Sequence, residues 1–422
     1  MNGILFHITT LDRLQIRDIQ KVQHETVLIM QGGGSLGAYE CGVYKTLHKH
    51  NIEFDIIAGT SIGAVNAAII AGSKTNNPAS DLEHFWLTLA DNITPSFLPD
   101  TIRSIYASMF AATYGNSNAF KPIWFSPYTI YDYSIYSPAF SSSSSPAPLL
   151  SSSYAIPYLY DTVPLKKTLS KFVDFDKINN YEKYNSNSVS NIDSGKGMDG
   201  TIRTKRIPRL IVTCTDIQRS ESVTFDSKHM KIDAEHIVAC AGFPFYGIAW
   251  TEKEGRYLWD GSLLSNTPLR EVIDASPKYD KKVYIVNLFP RYQQEVPHNI
   301  FDAWHRARDI IHTDKTDHNI RMSKVISRYL TLMRQMHDLL NNIQIEEDLR
   351  DLFFQIEREY HTLAGDRGTI IEEITKIERT EDIHFIFEDT DFSTATIKNL
   401  IKQGEEHAEN VLSGKKNDNN NR

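Results

Sequence analysis

Apolar and polar positions alternate in blocks whose spacing changes along the chain. Val27 to Met30 is a short unbroken apolar run closed by glycines, the form of a strand buried on both faces. Leu36, Tyr39, Val43 and Leu47 then recur at three- and four-residue steps, which predicts an amphipathic helix. Phe54 to Ala58 repeats the strand pattern, and an Ala- and Ile-rich helical stretch starts at Ile62. Further strands are expected at Arg209 to Cys214, at Tyr257 to Trp259 and at Val283 to Phe289. Strands separated by helices predict an α/β protein with a mainly parallel sheet. The apolar run from Phe54 to Gly72 is marginal in length for a membrane span and contains Asp55, Thr60, Ser61 and Asn66. It reads instead as a buried strand, turn and helix.

Two stretches interrupt this order. Residues from about 104 to 160 are rich in Tyr, Phe, Ser and Pro, and residues 181–205 in Asn, Ser, Gly and Lys. Both read as inserted loops, and the tract SSSSSPAPLLSSS as disordered. The first insert carries Tyr106, Phe110, Tyr114, Phe120, Trp124, Phe125, Tyr128 and Tyr131. Such a set suits a cap folded on its own core, or a peripheral contact with a bilayer surface. Beyond Asn299 the spacing predicts long helices, with Met322, Val325, Tyr329, Met333, Met336, Leu340 and Ile343 forming one apolar stripe. The expected organisation is an N-terminal segment (1–24), an α/β domain (25–298) carrying both inserts, a helical C-terminal extension (299–411) and a disordered tail (412–422).

Composition changes this picture little. The chain of 422 residues is 41% hydrophobic and 23% charged, ordinary for a globular protein with a substantial core. A net charge of −8 provides no basic field, so nucleic acid is not an expected partner. Cys41, Cys214 and Cys240 are an odd number without CxxC spacing, which argues against a disulfide framework or a zinc site. With no basic start followed by an apolar core in the first thirty residues, a cytoplasmic setting is expected. No metal or cofactor is expected.

The chemistry lies at two glycine-rich junctions. QGGGSLGA follows the first strand, and Gly32, Gly34 and Gly37 fit the spacing G-x-G-x-x-G. A dinucleotide site also needs an acid at the carboxyl end of the second strand. That position instead carries GTSIG, Gly59 to Gly63, the G-x-S-x-G pattern of a nucleophilic serine on a tight strand-to-helix turn. The two motifs explain each other if Ser61 attacks an ester carbonyl and the backbone N–H groups of Gly33 and Gly34 receive the resulting oxyanion. The Walker pattern of nucleotide triphosphatases is missing, because Ala38 and Tyr39 follow Gly37.

Ser61 needs a base. His298, His305, His312, His318 and His384 all lie downstream, which keeps a Ser–His–Asp arrangement open. The other candidate is Asp260, at the end of an aromatic strand in YLWDGSLLSNTPL. A carboxylate is a weaker base than imidazole, so such a dyad would depend more on alignment and on oxyanion donors.

In order, QGGGSLGA, GTSIG, EHIVACAGFPF and GRYLWDGSLLSNTPL resemble the patatin-like phospholipase family, and RARDIIHTDKTDHNI and DFSTATIKNLIKQG resemble the helical extension of its longer bacterial-type members. The resemblance implies a three-layer α/β/α sandwich and hydrolysis of lipid acyl esters of the phospholipase A or lysophospholipase type. It implies Ser61 as nucleophile, Asp260 as base, and Gly32, Gly33, Gly34 and Gly37 as the oxyanion loop. Gly59 and Gly63 would frame the serine elbow, and Gly261 and Ser262 the turn after the acid. Two departures stand out. Leu36 replaces a common Arg or Lys, and Asp-Gly-Ser replaces Asp-Gly-Gly or Asp-Gly-Ala. A non-catalytic lipid- or protein-binding member remains an alternative.

Overall fold

The computed structural model describes residues 24–90, 94–95, 97–123, 158–190, 206–293, 296–343, 345–365, 369–380 and 388–414. The serine tract, Trp124, Phe125, Tyr128, Tyr131, most of the second insert, His384 and residues 415–422 of the polar tail lie outside the described residues.

In chain order the strands are β1 (His24–Met30), β2 (Ile56–Thr60), β3 (Lys121–Pro122), β4 (Tyr160–Asp161), β5 (Arg209–Asp216), β6 (Glu221–Asp226), β7 (Thr251–Lys253), β8 (Arg256–Asp260), β9 (Asp280–Asn287) and β10 (Ile371–Glu378). The helices are α1 (Gly37–Lys49), α2 (Ile62–Ala71), α3 (Pro78–Leu89), α4 (Asp100–Tyr114), α5 (Val163–Phe172), α6 (Phe175–Asn179) and α7 (Tyr181–Ser190). They continue with α8 (Ala234–Ala239), α9 (Leu269–Asp274), α10 (Ile300–Leu340), α11 (Arg350–Tyr360) and α12 (Thr394–Leu412).

The main sheet runs β10-β9-β1-β2-β5-β8-β7, with β6 also on β5, and β3 pairs β4 separately. From β10 to β5 all pairs are parallel, while β6, β7 and β8 are antiparallel additions. Alternation along β1 explains the layering. Leu28 and Met30 face one core with α1, α2, α3 and α12, and Val27 and Ile29 face a second core with α9 and α10. The result is the expected α/β/α sandwich. Among the described residues no helix is long and apolar enough to cross a membrane.

Three local expectations change. The start of the first insert, expected as loop from about residue 104, belongs to the helix Asp100–Tyr114. Its buried positions Ser104, Ala107, Ser108 and Ala111 have helical spacing but are small, so a hydrophobicity pattern misses them. Tyr181–Ser190 is likewise helical. After the long helices the chain returns to the sheet as edge strand β10, whose half-exposed IEEITKIE hides the apolar signal.

The stripe expected on α10 faces outward. Met322, Val325, Tyr329, Met336 and Ile343 are exposed, whereas Ile320, Ser323, Ser327 and Leu330 are buried. Polar anchors fix this rotation. Ser327 Oγ accepts the Ile371 N–H at 2.9 Å, and Arg334 donates to both oxygens of Asp280 at 2.7 and 3.1 Å.

Candidate active site

The sheet registers bring the two remote motifs together. Along one edge of β5, Thr60 is opposite Thr213 and Asp260 is opposite Cys214. Strand β6 covers the other edge, at residues 211–216, so β2 and β8 meet end to end on the same side of β5. Ser61 and Asp260 therefore occupy consecutive places at the carboxyl end of the parallel strands.

Ser61 has φ +57° and ψ −127°, a conformation that costs a non-glycine residue of order 1–3 kcal/mol. The turn is held by close backbone approaches. A Cβ on Gly59 would lie 2.2 Å from the Gly63 carbonyl oxygen, and one on Gly63 2.4 Å from that of Met30. Both elbow glycines are thus sterically required. Thr60 adds side-chain support, bonding Thr213 Oγ1 at 2.6 Å and donating to the Ser265 carbonyl at 2.8 Å.

Asp260 is fully buried. Its Oδ1 accepts the Ser262 N–H at 2.8 Å and the Ser262 hydroxyl. Its Oδ2 is sealed from solvent without a full hydrogen bond, yet the Ser61 hydroxyl is close enough to act on the carboxylate. A looser contact of this kind is common for catalytic pairs before substrate binds. Burial pushes the Asp260 pKa up to about 6, and the hydrogen bonds from Ser262, with the nearby Ser61 hydroxyl, partly offset that rise. Gly261 sits below the turn, where a Cβ would meet the Thr213 carbonyl at 2.4 Å.

The first glycine loop closes over these groups. A Cβ on Gly32 would lie 2.7 Å from Ser61 Cβ, 2.6 Å from Asn266 Oδ1 and 3.1 Å from Ser262 Oγ. Asn266 clips Gly32 from both sides, accepting its N–H at 3.4 Å and donating to its carbonyl at 3.3 Å. Gly32, Gly33, Gly34, Ser61, Ser262 and Asn266 all line one cavity of about 500 Å³. Gly37 is not among the lining residues. Its absent Cβ makes room for Ile62 and Trp86 at 2.7 and 2.9 Å, which lets α1 pack closely on α2 and α3. Leu36, at the position of the missing cation, is buried.

Most of the cavity wall is apolar, with Leu89, Ile105, Met109, Phe120, Leu165 and Phe289 contributing. Away from the two motifs its polar part includes Tyr246, Arg308, His312 and Asp389, three of them on the C-terminal third of the chain. Arg308 and His312 lie within RARDIIHTDKTDHNI, and His312 is one of the candidate bases, but Tyr246 and Asp389 belong to none of the motif segments. Asn266 was nearer to view, directly before Thr267 and Pro268 in the acid's segment. Of the five histidines considered as bases, His312 lines the cavity, stacked on Phe289 with centroids 5.0 Å apart. His305 is buried nearby, and burial together with the Arg308 charge depresses its pKa.

Fold and site thus define an α/β protein with a strained serine beside a buried carboxyl at the mouth of an apolar cavity. The model of the patatin-like phospholipase family matches residues 28–273, well over half of the chain, and the protein belongs to that family. Over 64 residues it is 41% identical to triacylglycerol lipase SDP1L of Arabidopsis thaliana, covering 15% of this chain and 8% of that one. Over 44 residues it is 50% identical to lysophospholipase nte1 of Aspergillus terreus, covering 10% and 3%. The chain therefore spans less than a tenth of the length of these curated relatives. Among solved structures it is similar to VipD from Legionella pneumophila, with 13% identity, a TM-score of 0.33, and coverage of 93% and 67%.

Proposed function

We propose that this protein hydrolyses acyl esters of lipids through a Ser61–Asp260 dyad. The observation that carries this reading is the strained Ser61 on the same strand edge as a buried Asp260 whose pKa is lifted to about 6. A general base is most effective near the operating pH, and a carboxyl moved to that value is deprotonated at neutrality while remaining basic enough to take a proton. Family membership supports the same chemistry.

In this mechanism Ser61 Oγ attacks the ester carbonyl carbon as Asp260 takes the hydroxyl proton. The oxyanion is received by the N–H groups of Gly33 and Gly34, since Gly32 commits its own N–H to Asn266. Asp260 returns the proton to the departing alcohol as the C–O bond breaks. Water then enters, gives a proton to Asp260 and attacks the acyl-enzyme. The fatty acid leaves, and the proton goes back to Ser61. The apolar wall suits an acyl chain.

Reaction with a fluorophosphonate probe tests this reading. Wild-type protein should label at Ser61, and folded Ser61→Ala should not. Equal labelling of the two would remove Ser61 from the role. A panel of phospholipid, lysophospholipid and triacylglycerol then assigns the lipid class.

A second reading rests on His312, the one downstream histidine among the lining residues named above. If His312→Ala abolishes turnover in folded protein while Asp260→Asn does not, the base is a histidine. A non-catalytic role falls if any short-chain p-nitrophenyl ester is turned over in an Asp260-dependent way.

Contact with a lipid surface is part of the proposal. Helix α4 turns Ile105, Ser108 and Met109 to the cavity while Ile102, Tyr106 and Tyr114 remain exposed beside it. Exposed apolar residues at a cavity mouth suit a bilayer from which acyl chains are drawn. Sedimentation with phosphatidylcholine vesicles should lose protein when Ile102 and Tyr106 are changed to Ser.

A further inference from the structure

Residues 388–390, a short turn in the C-terminal third of the chain, pack directly on the glycine loop. A Cβ on Gly34 would lie 2.2 Å from the Asp389 carbonyl oxygen, and Gly34 itself has φ +57°. Ser35 Oγ donates to the Glu388 carbonyl at 2.8 Å. On its other side the loop meets the end of β9, where a Cβ on Gly33 would touch Leu288 Cδ1 at 2.7 Å. The loop is therefore gripped between two segments far apart in sequence.

The 388–390 turn is tied down by buried charge. Arg308 Nη1 lies 2.6 Å from Asp389 Oδ2, and the Tyr246 hydroxyl donates to the same oxygen at 2.6 Å. Arg308 also donates to Asp309 Oδ1 at 2.9 Å and lies over the Phe289 ring, 4.9 Å from its centroid. Arg379 pairs with Glu388 at 2.7 Å and donates to the Leu288 carbonyl at 3.2 Å. All four paired groups, Arg308, Arg379, Glu388 and Asp389, are buried.

We propose that Arg308 is a positioning residue for the oxyanion loop: through Asp389 it holds the 388–390 turn against Gly34 and thereby sets the N–H groups of Gly33 and Gly34. The proposal rests on the hydrolase reading above. Oxyanion donors contribute through preorganisation, so displacement of a few tenths of an ångström acts on the transition state more than on bound substrate. Arg308 lines the cavity, but Asp309 and Asp389 more than neutralise it, so it is not set up to attract an anionic lipid headgroup. The arrangement also gives the helical extension a part in catalysis, because α10 carries the arginine.

The test compares Arg308→Met and Arg308→Lys with wild type in the full chain. Labelling of wild-type Ser61 by fluorophosphonate is the control, and without it the hydrolase reading and this proposal both fall. Given that control, Arg308→Met should lower kcat about 100-fold with KM within about threefold. Its affinity for a trifluoromethyl ketone, whose adduct oxygen needs the same N–H groups, should fall in parallel. Binding of a non-reacting ether analogue should stay constant. Arg308→Lys, which keeps a cation beside Asp389, should recover part of the loss. If Arg308→Met does not fold, Tyr246→Phe removes only the hydroxyl donor to Asp389 and should lower kcat by about threefold to tenfold. An unchanged kcat in folded Arg308→Met, or in folded Tyr246→Phe where that variant stands in, overturns the proposal. So does a rise in KM confined to anionic phospholipids, since Arg308 would then read the substrate directly.

Discussion

The serine turn and helix α10 both border the cavity, yet they constrain their residues in opposite ways. At Gly59, Ser61 and Gly63 the backbone approaches itself so closely that residue type follows from atomic collisions. Along α10 the backbone is an ordinary helix, and side-chain partners decide which face turns inward. Asp309, His312, Asp317 and Ser327 are buried there beside Ile320 and Leu330, while Met322, Tyr329 and Met336 are exposed, a departure from a simple amphipathic rule. A motif written in backbone sterics is local and stays legible. A face chosen by ion pairs to distant strands does not.

The sharpest break of this comparison is chemical. Ser61→Ala should lower lipid ester hydrolysis by roughly 10⁴-fold or more without unfolding, measured as kcat with circular dichroism as the folding check.

Asp260→Asn should lower kcat by about 10³-fold and raise stability at the same time. The folded pKa, about 6, lies above the ordinary carboxyl value of 3.8, so the folded state holds the proton more tightly. Stability is then greatest below pH 3.8 with respect to this group and is lost as pH rises through 6. Above pH 6 the neutral amide should gain up to about 3 kcal/mol in urea denaturation. Activity runs the other way, falling as pH drops through about 6. An acid limb unaffected by Asp260 substitution would exclude it as the base.

Gly34→Ala tests whether the loop obeys the same steric rule as the elbow. The added methyl meets the Asp389 carbonyl, and a left-handed φ strains alanine, so kcat should drop about 100-fold. Ser262→Ala is milder. It removes a hydroxyl donor that lowers the Asp260 pKa, so the acid limb should move upward while kcat at high pH stays within about threefold.

The smallest effects lie on α10. Leu330→Ala on the buried face should cost about 2–3 kcal/mol, and Met336→Ala on the exposed face under about 0.5 kcal/mol. Equal costs would mean that the outward stripe is covered.

Much of the sheet was legible because β1, β2, β5 and β9 are buried on both faces and leave continuous apolar runs. Helix α4 was not, since its buried face is serine and alanine, nor β10, an edge strand with polar residues. Within the candidate site, Ser61, Asp260 and the glycines announce themselves by motif. Gly37 carries the same signal, but it packs against Ile62 and Trp86 and is not among the cavity-lining residues, a distinction that spacing alone does not make. Asn266 and Arg308 lie within GRYLWDGSLLSNTPL and RARDIIHTDKTDHNI, but nothing local singles them out, and Asp389 lies in none of the motif segments. Each acquires its role from a partner more than 80 residues away.

By itself, then, the sequence determined the parallel α/β framework and the two tight turns, since these follow from local burial and from collisions within a few residues. Only the tertiary structure decided that β2 and β8 share one edge of β5, that the 388–390 turn grips Gly34, and that α10 turns most of its expected apolar stripe outward. Those outcomes depend on strand register and on buried charge pairs between remote segments, and such pairings exist only once the chain has folded.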